Sequence, residues 1–166
     1  MGRQLWVLRH AEAEPHGTRS DSERRLTAHG EEQASAAGVA LARLDPGFEA
    51  VLFSPKMRAR QTAELAAAEW GKGGRALLRE HEALAGGFDA QQALDAVRSI
   101  GDDGRLLLVG HEPDLSSVVA DLTGGRIDLK KGGLAAVRLE GVGGELAVLM
   151  RPRELALIAA VPARRH

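Results

Sequence analysis

Short blocks of consecutive apolar residues alternate along this chain with longer stretches in which apolar positions recur at helical spacing. The first block, residues 5–8 (Leu-Trp-Val-Leu), has the length of a buried strand and stops abruptly at Arg9-His10. The polar residues 12–25, with Pro15 and Gly17 among many charges, predict a long loop. Thr27 is a suitable N-cap, and Glu31 and Glu32 lie where a helix dipole favours negative charge. A helix is therefore expected through the Ala-rich segment to about residue 44, where Asp45-Pro46-Gly47 stops it.

Residues 48–53 form the second strand candidate. Ser54 as N-cap with Pro55 at the first helical position predicts a helix from 55 to about Trp70, closed by Gly71. Residues 75–78 suggest a short strand, and Asp89 opens a helix with Ala93, Leu94, Val97 and Ile100 on one face. After the turn Gly101-Asp102-Asp103-Gly104 comes the most apolar strand, residues 106–109, ending in Gly110-His111-Glu112-Pro113. A helix through Leu115, Val118, Val119 and Leu122 then terminates at Gly124-Gly125. Residues 134–139 and 146–150 predict a β-hairpin, and a short helix from Pro152 leads into a basic tail. Strands alternating with helices imply a three-layer α/β/α sandwich with a mainly parallel sheet and an antiparallel edge. Strand order does not follow from the pattern.

Composition narrows this picture. The 166 residues suit a single domain spanning 1–166, and 44% hydrophobic content supports a globular fold. With only 3% aromatic residues, the core must rest on Leu, Val and Ala. A net charge of −1 gives no global attraction to nucleic acid or anionic membrane, so any anion site must be built locally. The absence of cysteine excludes a disulfide scaffold and a thiolate nucleophile, and fits a reducing compartment. No signal-peptide core or membrane-length apolar run is evident, and a cytoplasmic protein is expected, with nothing demanding more than a monomer.

The candidate chemistry lies where three strands end. The first ends in Arg9-His10, the second in Ser54-Pro55 leading to Arg58, and the third in Gly110-His111. Ligands of open α/β sheets bind beyond the carboxyl ends of the strands. If the three strands are parallel and adjacent, two histidines and two arginines converge there. Arginine presents a fixed fork of donors to phosphate oxygens, and a neutral imidazole can attack phosphorus. Arg9 and Arg58 disfavour a second positive charge on His10 and stabilise charge on a phosphoryl group in transfer. Each residue alone has a plain structural explanation, as a loop histidine, a helix start or a surface arginine.

Four ordered motifs carry a family resemblance over about residues 5–122. Leu8-Arg9-His10-Ala11-Glu12 resembles the Arg-His-Gly motif of the histidine phosphatase superfamily, with Ala11 in place of glycine. Arg24-Arg25-Leu26-Thr27-Ala28-His29-Gly30 is similar to its Arg-Pro-Leu-Thr…Gly segment, with Arg25 replacing proline. Ser54-Pro55-Lys56-Met57-Arg58-Ala59-Arg60-Gln61-Thr62 resembles its Ser-Pro-x-x-Arg-Ala-x-Gln-Thr block, and Gly110-His111-Glu112-Pro113 its second-histidine motif. Within branch 1 of that superfamily the chain looks most like the short SixA-type phosphohistidine phosphatases. The resemblance implies a phosphoglycerate mutase-like fold and a metal-independent, cofactor-free phosphatase. His10 is then transiently phosphorylated while Arg9, Arg58 and His111 hold the phosphoryl group, with Arg24 and Ser54 as further substrate contacts.

Larger relatives carry an acidic residue after the region matching Leu77-Leu78; Glu80 and Glu82 both compete for that place, with Glu82 preferred. An alkoxide leaving group needs a positioned acid, so a site without a clear one leans towards P–N cleavage and a phosphohistidine protein as substrate. A small-metabolite phosphomonoesterase of the same superfamily is the alternative, and a mutase is disfavoured by chain length. A non-catalytic phosphate-binding module would not need both histidines. A metal-dependent hydrolase could use the alternating His10, Glu12, Glu14 and His16, but Pro15 breaks the strand they require and Arg9 would repel a cation.

Overall fold

A computed structural model describes residues 2–162, so the basic tail expected after the last helix lies, from residue 163 onward, outside the described residues. Six strands form one sheet: β1 (Gln4–Arg9), β2 (Phe48–Phe53), β3 (Leu78–Glu80), β4 (Arg105–Gly110), β5 (Leu134–Glu140) and β6 (Gly143–Met150). Their spatial order is β3-β2-β4-β1-β5-β6. β3, β2, β4 and β1 run parallel, while β5 runs antiparallel to β1 and β6 antiparallel to β5. The sheet is therefore mainly parallel with an antiparallel edge, as the sequence pattern implied.

Period-two alternation within the strands divides the core between two faces. Leu5, Val7, Leu52, Leu106 and Leu108 face helices α4 (Ala90–Val97) and α5 (Asp114–Thr123). Trp6, Leu8, Val51, Phe53, Leu107 and Val109 face α1 (Ala28–Leu44), α2 (Met57–Ala68) and α6 (Pro152–Ala160). The side chains of Leu106 to Val109 are wholly buried, which is why β4 reads as an unbroken apolar run. Each such burial contributes about 1.5–3 kcal/mol. The Ala-rich helices let α1 and α2 approach closely, and at Gly38 a β-carbon would collide with the Ala66 backbone.

Several boundaries depart from expectation. Thr27 caps α1 as anticipated, accepting the Gly30 N–H, and Asp89 closes a capping box with Gln92. Ser54, however, does not cap α2: the helix begins at Met57, and Ser54 Oγ is engaged by the Lys56 N–H and by His111. The expected strand at 75–78 is instead helix α3 (Lys72–Ala76) followed by β3, because β2 offers a partner edge only along Val51, Leu52 and Phe53. The loop at 12–25 contains a 3-10 turn, Asp21–Glu23, and an antiparallel bridge from Ala13 to Leu26.

What matters for the site is that β2, β4 and β1 are neighbours and end level. Phe53 lies opposite Val109, Val109 opposite Leu8, and Gly110 opposite Arg9. The N–H groups of Ser54 and His10 extend the ladder by donating to the Val109 and Gly110 carbonyls, each at 3.0 Å.

Candidate active site

His10 emerges from β1 buried, with its ring orientation fixed by one contact. Nδ1 lies 2.7 Å from the Ala11 carbonyl oxygen, which can only accept, so Nδ1 carries the proton and Nε2 keeps its lone pair. Ala11 is fully buried, and its N–H donates to Thr62 Oγ1. Its backbone is not at positive φ, so alanine replaces glycine without strain. Arg25, where the family pattern has proline, uses the N–H that proline lacks to bind Glu14 Oε1 at 2.8 Å.

His111 leaves β4 with its ring centroid 5.3 Å from that of His10. Its Nε2 lies 2.7 Å from Ser54 Oγ. Arg58, in the first turn of α2, is buried and donates Nη1 to the Asp21 carbonyl at 2.7 Å. Arg9 donates Nη1 to the Leu129 carbonyl at 3.0 Å. Among the described residues three buried side-chain polar atoms lack a hydrogen-bond partner: Arg9 Nε, Arg58 Nε and His111 Nδ1. All three residues line one crevice of about 160 Å³, together with His10, Ala13, His16, Arg24, Glu112 and Lys131. Buried polar atoms are otherwise nearly always paired, so this coincidence makes the crevice the candidate site for an anion. A larger groove of about 310 Å³ lies away from these strand ends, but among its lining residues Asp45 is the only one with an ionisable side chain.

Of the residues singled out from sequence, Arg9, His10, Arg24, Arg58 and His111 meet in the crevice. Arg24 is held there by Asp21 Oδ1 and by the Glu14 carbonyl, at 3.0 and 2.8 Å. Ser54 is fully buried behind His111 and is not among the lining residues. Glu82 is exposed at the start of the 3-10 turn after β3, also outside the lining, and exposed Glu80 is paired with Arg60. Glu12 and Glu14 are bound by Thr27 and by Arg19 and Arg25, so the alternating set His10, Glu12, Glu14 and His16 does not converge.

Three participants escaped sequence reasoning. Asp21 contacts Arg24, Lys56 and Arg58 at 3.0, 3.1 and 3.4 Å, a single carboxylate holding three cations at the crevice wall. These interactions hold its carboxyl well below the usual carboxylate range, the Lys56 hydrogen bond most of all. Glu112 lines the crevice directly after His111, with Oε1 accepting the Ser116 N–H at 2.9 Å. Lys131 enters from the turn just before β5, whose start lies beside the end of β1 because that pair is antiparallel. A search confined to strand carboxyl ends could not find it.

Both histidines are held neutral. Burial pushes His10 down to about 3, and His111, Arg58 and Arg9 add smaller repulsive contributions. Burial likewise pushes His111 down to about 3, with Arg58 and Lys56 next. Desolvation thus outweighs the arginine charges, which sequence reasoning had placed first. Unfolded histidine titrates near 6.5, so between pH 6.5 and about 3 the unfolded chain binds more protons and stability is lost as pH falls. Each histidine contributes up to about 1.4 kcal/mol per pH unit in that window. Urea midpoints measured from pH 7.5 to 5 should fall steeply below 6.5, and a double His10→Ala, His111→Ala variant should show a flatter profile. Asp21, whose folded value is depressed, loses its contribution only at lower pH and does not confuse that window.

Residues 5–85 match the profile of the histidine phosphatase superfamily (branch 1). An uncharacterised protein of Picosynechococcus sp. is 36% identical over 147 residues, covering 81% of this chain and 84% of the relative. The solved structure of the protein histidine phosphatase SixA complexed with tungstate aligns with a TM-score of 0.80 at 26% identity. That alignment covers 92% of this chain and 99% of the other. An alpha-ribazole phosphatase from Shigella flexneri shares the fold, with a TM-score of 0.69 at 21% identity over 90% of this chain and 96% of its own.

Proposed function

The chain belongs to branch 1 of the histidine phosphatase superfamily, and from that premise we propose that it is a metal-independent phosphatase acting on phosphohistidine through a phosphorylated His10. The observation that carries this reading is the set of three unpartnered buried donors around a histidine whose Nε2 lone pair is free. Nε2 of His10 attacks phosphorus, and the P–N bond to the substrate imidazole breaks as that nitrogen takes a proton from solvent. Arg9 Nε–H and Arg58 Nε–H bind the equatorial oxygens, where charge is held during transfer. Ser54 Oγ accepts the Lys56 N–H and donates its own O–H to His111 Nε2, so that His111 carries its proton on Nδ1 and offers a third donor. Water then attacks the phosphohistidine of the enzyme, releasing phosphate and restoring neutral His10.

Burial favours the neutral imidazole that this attack requires. The tungstate in the SixA structure is a tetrahedral oxyanion, the shape these donors suit here. A protein-borne phosphohistidine suits the site because neither Glu80, at the end of β3, nor Glu82, just after it, lines the crevice. Among the described residues no group of three or more His, Asp or Glu side chains is arranged to hold a metal ion, and no helix is long and apolar enough to cross a membrane. With no cysteine in the chain, a reducing cytoplasmic setting fits the proposal.

The test is a panel of phosphohistidine protein, phosphoramidate, phosphoserine peptide and sugar phosphates, assayed in EDTA with His10→Ala as control. Preference for the P–N substrates is expected. Comparable turnover of simple esters would move the assignment to a small-metabolite phosphomonoesterase, the reading to which the alpha-ribazole phosphatase likeness in fold points.

A further inference from the structure

The phosphoryl group accounts for His10, Arg9, Arg58 and His111, but not for every charge that faces it. Arg24 is paired with Asp21, a carboxylate it shares with Lys56 and Arg58, and Glu112 is engaged by the Ser116 N–H. Lys130 pairs with Asp128. Lys131 lines the crevice, exposed, with no ion-pair partner among the described residues.

Its position is fixed rather than incidental. The Gly133 N–H donates to the Lys130 carbonyl at 2.7 Å, closing a β-turn with Lys131 and Gly132 at its corner. Gly132 has φ +78°, whereas Lys131 has no positive φ, the combination of a type II turn. The turn is fastened to the nucleophile's own segment. The Gly132 N–H donates to the Arg9 and His10 carbonyls at 3.1 and 2.9 Å, and the Gly133 carbonyl accepts the Arg9 N–H at 3.0 Å. The Lys131 backbone therefore cannot drift from His10, while its four-carbon stem leaves the ammonium free to follow a ligand.

We propose that Lys131 binds a second anionic group of the substrate, a carboxylate or phosphate lying close to the transferred phosphoryl group. This deepens the phosphatase reading and rests on it. An uncompensated ammonium beside three guanidiniums raises the potential at the mouth, and an anionic neighbour of the phosphoryl group lowers it. The chemistry is met by a Glu or Asp flanking phosphohistidine in a protein, and equally by a carboxylate on a small phosphate ester.

The experiment compares kcat/KM for paired substrates. One arm uses phosphohistidine peptides with Glu or with Ala on both sides of the phosphohistidine; the other uses phosphoserine against phosphoethanolamine, which lacks the carboxylate. Wild type should prefer the anionic member of a pair by about fivefold, the scale of one exposed ion pair. The preference should shrink on adding salt to about 0.5 M. Lys131→Ala should bring the ratio to about one, and Lys131→Glu should invert it. A preference confined to the peptide arm assigns the anion to a protein segment; one confined to the small esters assigns it to a metabolite. A wild-type ratio of one in both arms, or a ratio unchanged in Lys131→Ala, overturns the proposal alone. Failure of the wild type to turn over any of the four substrates overturns it together with the phosphatase reading.

Discussion

His10→Ala is expected to release no phosphate from any donor that the wild-type chain turns over, a loss on the order of 10⁴-fold or more. The size of the effect follows from the crevice. Only His10 combines a ring whose Nδ1 proton is committed to a carbonyl with an Nε2 free to attack. Of the other two imidazoles lining the crevice, His111 has its Nε2 spent on Ser54 and His16 lies exposed in the loop after β1. The covalent intermediate makes the prediction sharper than an activity loss. Wild type mixed with phosphodonor should acquire an acid-labile phosphate, and His10→Ala should acquire none. His111→Ala should still acquire it, slowly, because that change removes a donor and leaves the nucleophile. Persistent labelling of His10→Ala would transfer the nucleophilic role to His111 and require the opposite tautomers.

The site was legible in sequence because three independent strand ends carried phosphate chemistry, and parallel neighbours must bring such ends together. Registers joining Phe53, Val109 and Leu8 supply what the pattern lacked, the strand order. Helix caps with purely local chemistry, such as Thr27 and Asp89, were equally readable. Ser54 was misassigned because the local rule for Ser-Pro competes with a contact 57 residues away, the His111 ring, which no local rule can see. Asp21 and Lys131 were missed for the same reason. An acidic residue in a polar loop and a lysine before a glycine pair look like solvated surface until tertiary structure sets them against Arg58 and His10. Glu82 shows the converse, a residue favoured by family position that lies exposed and outside the crevice lining.

Arg58→Ala should lower kcat/KM by 10²-fold or more, as expected when one preorganised donor to a transferring group is lost. Arg58 is almost fully buried, so water cannot substitute for its charge, and its unpartnered Nε–H has no second use in the fold. The carboxylate it leaves behind is not stranded, because Asp21 keeps Arg24 and Lys56 as partners at 3.0 and 3.1 Å. Folding should therefore survive, and a near-wild-type urea midpoint at pH 7.5 would separate lost chemistry from lost structure. Arg58→Lys is the informative companion. It restores the charge but not the Nε–H or the fork, so it should recover only part of the rate. Removing Arg58 also removes one repulsive charge from His10, but burial remains the larger cause of its depressed pKa. The imidazole should stay neutral at pH 7, and the deficit in Arg58→Ala should not be cured by raising the pH. Wild-type rates in Arg58→Ala would take that side chain out of the reaction and leave Arg9 alone to offer a free buried guanidinium Nε–H to the phosphoryl oxygens.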